Sequence, residues 1–523
     1  MKTKYVNIMK AKYVVATLLV ALISMVSCDK GFEELNQDPL LPTSLDPAYL
    51  LVTCEATYVD NWHYEGSIIQ QIQIIIGGQE AAGNRNLRVD NFMQNIWNGS
   101  YGNYKLLVEI VNTLEGDATR SNLYNMARIM KAFYAMRLVD TYGNVPYSEA
   151  GLGLGGTFYP VYDNQEDIYA DIEAELIAAT DALDPAKKIE TNEMYFKGDI
   201  AKWKKFGNSL LLRLGMRYSK SNPSKAQTIV QTATSATRGG VITTNSENVY
   251  IPYNSTQNNP GGAALTAGTR QNWHVGRPFV DFLYNNKDPR MRYIVCRYSD
   301  PNSGSGGTID TVGANQVGCP YGLDETTITT DPLYPGAISS NVWKYSQFNR
   351  QRNLRVDGWH YIITAAQTQL LMAEARYRGW ITTSTAQAYY ENGVTQALTQ
   401  ADIFSTTRGG ASPITSDEIT NYLSRPNIAY ADATALQQIN EQYWLACFLM
   451  WHEGWCNLRR SGYPDLAPNG YPSQDASVAN GDGFIHRLCY TIREYTINQD
   501  NTEAAATAIG GDELATRIFW DTP

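Results

Sequence analysis

Residues 365–380, "AAQTQLLMAEARYRGW", and residues 386–401, "AQAYYENGVTQALTQA", carry the reading of the fold. Both stretches repeat apolar residues at helical spacing, and Gly379 breaks the run between them, so they predict a pair of helices. In the second stretch Ala386, Tyr390, Gly393, Val394 and Ala397 share one face. Small residues on that face let two helices approach closely. Working outward, the same periodicity recurs. Trp97, Tyr101, Tyr104, Val108 and Val111 fall at helical spacing, as do Tyr124, Ala127, Met130, Tyr134 and Leu138. The segment "DNQEDIYADIEAELIAATDAL" opens at Asp163 with acids in its first turns, where the helix dipole favours them.

This alternation of small and large residues resembles tetratricopeptide repeats, in which each helical hairpin packs on the next. No clean 34-residue period is present. The expected fold is therefore mainly α, a tetratricopeptide-like scaffold of helical hairpins with an irregular, loop-rich insertion. The helical blocks fall at about 45–237 and 360–465. Between them, residues 238–358 are rich in Gly, Asn, Ser, Thr and Pro. A structureless loop of that size is implausible inside a domain. The segment reads as several loops and short strands folded onto the helices, where binding residues concentrate.

The N-terminus says where the chain is expected to reside. Lys2, Lys4, Lys10 and Lys12 precede a mostly apolar run from Tyr13 to Val26, followed by Ser27 and Cys28. This is a basic region and a short apolar region, the layout of an export signal over residues 1–27. The run falls short of the roughly 20 apolar residues a span needs. The ending resembles a bacterial lipobox, with Cys28 acylated as the mature N-terminus of a single domain, 28–523. Acyl chains contribute about 0.8 kcal/mol per buried methylene, so several of them anchor firmly. Translation could start at Met1 or at Met9.

The net charge is −10 and no long basic block occurs, which argues against nucleic acid as a partner. Only 18% of residues are charged, while Tyr (35) and Trp (11) are plentiful. Neutral polar surface with aromatic rings suits an uncharged, hydroxyl-rich ligand, although most of the rings are expected in the core. Export permits disulfides, and a Cys296–Cys319 bridge would restrain the polar segment between those residues. Cys447 and Cys456 lie on one apparent helix, on opposite faces at about 100° per residue, and so do not pair. Neither Cys-x-x-Cys nor His-x-x-x-His spacing occurs, so neither a metal site nor a cofactor is expected.

Several stretches, in order along the chain, resemble SusD/RagB-type nutrient-binding lipoproteins of the outer membrane. They are "CDKGFEELNQDPLLPTSLDPAYLL" from Cys28, "TYGNVPYSEA" at 141–150, "GWHYIITAAQTQLLMAEARYRGW" and "EGWCNLRRSGYPDL". The last is "NQDNTEAAATAIGGDELATRIFWD", which resembles the subgroup ending in Gly-Gly-Asp and Phe-Trp-Asp. Two positions depart from the family pattern. Gln367 stands where a Glu is common, and "RLCYTIREY", with Cys489 and Thr491, replaces a proline-rich turn. The resemblance implies a lipoprotein that docks on a SusC-type TonB-dependent transporter. It holds an oligosaccharide or, in some members, a peptide over the barrel.

Sugar rings present apolar faces edged by hydroxyls, so aromatic plates rimmed by polar side chains are the features to look for. Four of the five histidines directly follow a tryptophan: Trp62–His63, Trp273–His274, Trp359–His360 and Trp451–His452. The last pair reads as core. Trp62, Trp273 and Trp359 sit amid polar residues and are candidate plates. His63 accompanies the first, and Arg350, Arg352 and Arg355 crowd the loop before the third. In "GGQEAAGNRNLRVDN" at 77–91, Gln79, Asn84 and Arg85 are further ligand candidates. Trp97, Trp203 and Trp380 fall on periodic faces and are expected in packing. A glycoside hydrolase would need two carboxylates across a cleft. Glu374 and Glu453 lie on helices within reach of Arg378 and Arg460, which favours a structural role, and Glu149 follows a turn. No Gly-x-Ser-x-Gly elbow occurs, so an enzyme is not expected.

Overall fold

The helix at 365–377 is built by its own ends. In the computed structural model, Thr364 caps it: its side chain accepts from the Gln367 N–H, and the Gln367 side chain accepts from the Thr364 N–H. Gly379, at φ 78°, follows its last turn in the left-handed region that a side chain disfavours. The helix is buried on nearly every face because helices flank it on several sides. The structure describes residues 45–523 except 59–60, 267–269, 305, 353 and 410–411, and leaves undescribed the side chains of Trp62, 265–266 and 401–409. Cys28 and the export signal lie outside the described residues.

The scaffold is a succession of antiparallel hairpins. Helices α1 (Pro47–Ala56), α2 (Asp90–Leu114), α3 (Ser121–Tyr142), α4 (Gln165–Ala182), α5 (Ile200–Arg217) and α6 (Pro223–Ala233) each pack on the next. Helix α7 (Ala365–Tyr377) then pairs with α8 (Ala386–Gly409), and also meets α5 and α9 (Ala435–Ala446). Helix α10 (Trp451–Ser461) follows α9. The fold is thus mainly helical, as the periodicity implies. Gly393 shows why the second helix needs small residues. A Cβ there would lie 2.7 Å from Leu370 Cγ and 3.2 Å from the Leu370 backbone nitrogen.

The main apolar core draws on residues throughout Pro47–Pro523 and buries Trp97, Trp203 and Trp380, while a smaller cluster gathers Ile75, Cys319, Ile328, Trp343 and Tyr345. Charged pairs thread this core. Arg217 donates to Asp140 (3.3 Å) and Glu453 (2.6 Å), and Arg460 forms a two-pronged bond to Glu374 at 2.8 Å per arm. Glu374 also takes Arg378 at 2.9 Å. Glu453 pairs with Arg217 and Arg213 rather than with the expected Arg460.

The segment between the helical blocks folds as short strands and turns. Five strands line up in the order Ile72–Ile74, Trp273–Val275, Gln347–Phe348, Val295–Tyr298 and Ile309–Asp310. A second ribbon pairs Val249–Ile251 with His360–Ile363, directly before α7. The expected Cys296–Cys319 bridge does not form. Cys296 lies opposite Gln347, whereas Cys319 is bonded to Val275, and the Gln347 strand runs between them. All six described cysteines are buried free thiols. Cys447 and Cys456 do not share a helix. The chain breaks at Cys447–Met450, where Leu449 takes φ 68°.

Candidate functional site

The ribbon before α7 positions Trp359, the more accessible of the two expected plates whose side chains are described. Tyr250 alternates outward between buried Val249 and Ile251, and its ring stacks on Trp359 at 4.5 Å and 16°. Trp359 is half-buried. It helps to wall a small cleft of about 50 Å³ with Tyr361, Phe448, Leu449, Arg290 and Gln400. Arg290 is only 2% exposed, and Asp288, Tyr422 and Gln442 hold its Nε and Nη2. Burial disfavours its charge, but Asp288 outweighs that and holds the guanidinium above its ordinary value.

The 77–91 loop forms a second polar face. Arg85 Nη2 donates to Ile75 O at 2.8 Å and to Glu325 Oε2 at 2.9 Å, and its guanidinium lies 5.1 Å over the Tyr471 ring. Tyr471 donates to Asp324 at 3.2 Å. Three segments distant in sequence therefore meet here, with Glu325 and half of Tyr471 open to solvent. Gln79 is exposed and accepts from Asn91 at 3.3 Å. Asn84 is buried: it accepts from Ile74 N–H and donates to Ile72 O, both at 2.9 Å, so it secures the first strand.

The remaining candidates separate. Trp62 opens a short π-turn, Trp62–Gly66, and its side chain lies outside the described residues. His63 is half-buried, with its ring 3.8 Å from Phe92 and Nδ1 3.0 Å from Glu80 O, and burial pushes its pKa down. Trp273 is not an exposed plate. It is 4% exposed, because its strand is covered on both faces by the core. Nor is Arg350 free to meet a ligand. It is 1% exposed, donates to the carbonyls of Ser303 and Pro301, and stacks 3.9 Å over Tyr298. Arg352 is half-buried in the turn that follows.

A family model described as "Starch-binding associating with outer membrane", of SusD-like type, matches residues 41–491. The chain belongs to the SusD-like family. That family is associated with the outer membrane, and its members are binding proteins rather than enzymes. The fold agrees with solved structures. A chitin-binding protein matches at TM-score 0.77 and 26% identity, over 91% of this chain and 100% of its own. A Bacteroidetes AC2a SusD-like protein matches at TM-score 0.77 and 25% identity, over 92% and 100%. A chitin-binding SusD homologue from Flavobacterium johnsoniae matches at TM-score 0.74 and 22% identity, over 91% and 98%. No curated protein sequence matches the chain.

Within this SusD-like chain, sequence reading missed Tyr250, Glu325, Tyr471, Arg290 and Gln400. Their only common signal is the fold, which gathers them from separate segments. It also missed a buried cluster. Asp140, His452 and Cys456 bring ligand-type atoms within 4.8 Å of one another, and His452 and Cys456 are one helical turn apart. Their bonds are already committed. His452 Nδ1 meets Glu65 at 2.7 Å, while Arg217, Trp520 and Tyr169 all donate to Asp140. Burial, aided by Arg137 and Arg459, drives the His452 pKa well down. Nearby guanidinium groups repel a cation, so the cluster is helix-to-helix cement.

Proposed function

We propose that the protein is a cell-surface lipoprotein, tethered through Cys28, that captures an oligosaccharide and delivers it to a SusC-type TonB-dependent transporter. One observation carries the capture step. The half-buried Trp359 ring, backed by Tyr250, walls a cleft that also holds polar groups. Stacking on such a ring adds roughly 0.5–1.5 kcal/mol beyond burial. Arg85, Gln79, Arg352, His63 and Trp62, none of which lines that cleft, are proposed as further ligand contacts outside it. Trp273 and Arg350 are withdrawn because neither is accessible. The similarity to a chitin-binding protein at 26% identity supports a glycan. A peptide is the second reading, since Arg85 and Glu325 offer charges of both signs.

Catalysis by a carboxylate pair is not supported. Glu374 and Glu453 are buried and neutralised by arginines, which leaves neither as acid or nucleophile. The test is a glycan and peptide array on the mature chain, followed by titration calorimetry of Trp359→Ala. The expected result is glycan binding weakened about tenfold, equal to roughly 1.4 kcal/mol. Unchanged affinity in the variant would remove Trp359 from the site. An array positive only for peptides would replace the glycan. Acylation of Cys28 is checked by mass spectrometry of the mature N-terminus, and the partner by co-purification of a barrel protein from outer membranes.

A further inference from the structure

A cavity of about 220 Å³, larger than the Trp359 cleft and sharing no lining residue with it, opens where α10 ends. The chain turns back at Gly462, so Pro464 and Leu466 line the cavity with Leu458. Ile68, Phe484 and Ile485 complete an apolar wall. Leu458 and Phe484 are only half-buried, which leaves part of each ready to meet a ligand. An apolar cavity of about 150 Å³ takes a benzene ring, so this one holds a group of that size or somewhat larger.

The charges around the cavity do not cancel. His486 meets Asp482 at 2.9 Å and Asp521 at 2.6 Å, and Arg517 pairs with the same two acids, so protonated His486 and Arg517 balance both of them. Arg459 and Lys220 also line the cavity, and neither has an ion pair among the described residues. Arg459 donates to the carbonyls of His486 and Asp140 and lies 3.9 Å over the Trp455 ring. Lys220 is exposed and makes no hydrogen bond among the described residues. Partial burial pushes its pKa below the ordinary value; Asp521 opposes that, while Arg460, Arg517 and Arg378 reinforce it. An accessible ammonium in a positive neighbourhood attracts an anion. Asp465, also on the wall, is exposed to solvent, which screens its charge.

We propose that this cavity is a second binding site, for a small monocarboxylate with an apolar body: the carboxylate meets Lys220 and the body lies against Leu458, Leu466 and Phe484. A sugar suits it less, because hydroxyls set against these side chains lose their water without gaining partners. An amine is repelled by Lys220 and Arg459. A free acid and the C-terminal residue of a polypeptide ending in an apolar side chain offer the same chemistry. The site stands apart from the Trp359 cleft, and neither reading depends on the other.

Titration calorimetry on the mature chain tests it with phenylacetate, its neutral counterpart phenylacetamide, and glucuronate, an acid without an apolar body. Acetyl-Ala-Ala-Phe with a free carboxylate represents a chain end. The variants are Lys220→Met, which removes the ammonium at an exposed position, and Leu458→Trp, which fills the cavity. The expected result is binding of phenylacetate about tenfold or more tighter than of the amide and of glucuronate. Lys220→Met should bring acid and amide to within about twofold of each other, and Leu458→Trp should abolish binding of both. Should Leu458→Trp fail to fold, Lys220→Met decides alone. Binding of neither phenylacetate nor the peptide, equal affinity for acid and amide, or a preference that survives Lys220→Met overturns the site. Glucuronate bound as tightly as phenylacetate overturns the apolar body. Tighter binding of the peptide than of phenylacetate assigns the carboxylate to a chain end, and weaker binding assigns it to a free acid.

Discussion

Replacing Glu374 with Gln tests whether the buried ion pairs hold the helices of the second helical block together. Glu374 on α7 accepts two bonds from Arg460 on α10, one from Arg378 and one from Asn440 on α9, so a single carboxylate ties three helices. Burial alone would push this carboxyl up. Arg460 and Arg378 outweigh that and hold it at about 2, against an ordinary 4.5. Gln keeps the shape but leaves Arg460 as an uncompensated buried charge, a loss of about 3–5 kcal/mol. The pH dependence gives a sharper signature. A depressed carboxyl contributes stability that is complete above about pH 4.5 and is lost as pH falls through about 2. The shift corresponds to about 3 kcal/mol at neutral pH, of which about 2 is gone by pH 3. Urea unfolding followed by tryptophan fluorescence, at pH 7 and pH 3, reads both quantities. The wild-type advantage over Glu374→Gln should be large at pH 7 and narrower at pH 3. A variant as stable as wild type at pH 7, or a gap unchanged at pH 3, would refute the reasoning.

Further outcomes follow from particular contacts. Gly393→Val should cost about 2 kcal/mol, since its new atoms meet Leu370 with no room to move; an unchanged urea midpoint would contradict the close approach of α7 and α8. His486 sits between Asp482 (2.9 Å) and Asp521 (2.6 Å); burial lowers its pKa, but the two acids together raise it above the ordinary value. Its contribution is therefore full below the ordinary histidine value of 6.5 and fades as pH rises through the raised one, so His486→Asn should flatten the stability profile on the alkaline side of that ordinary value. The six described cysteines should not react with a thiol reagent in the native protein and should all react in guanidinium, because burial pushes Cys54, Cys296 and Cys489 up to about 12. Rapid labelling of the native chain would show that the core is open.

The helical scaffold was legible because its signals are local. Thr364 and Gln367 form a capping box, Gly379 ends the helix, and Gly393 marks the contact face, all within 30 residues. The break between α9 and α10 was not legible. Apolar residues run through it, and neither Gly nor Pro marks the turn, where Leu449 adopts φ 68°. The pairing of Glu453 was hidden for a related reason. Its partners Arg213 and Arg217 lie on α5, over two hundred residues away, and only the stacking of hairpins brings them near.

The tryptophan–histidine pairs show why the binding face was harder to read than the fold. Trp273–His274 and Trp359–His360 are the same dipeptide, and both occupy strands or strand ends. The Trp273 strand lies second in a five-stranded sheet with the core on both sides, so both rings are buried and His274 is pushed down to about 3. The second dipeptide enters a two-stranded ribbon. There His360 turns inward against Tyr58 at 4.2 Å while Trp359, one residue earlier, points to the other face and meets Tyr250. Strand alternation makes one residue of such a pair face out only where the sheet has an uncovered side. Which sheets have one is decided by the helices that cover them, hundreds of residues away. The aromatic residue type therefore identifies candidate plates, and the layer packing selects among them.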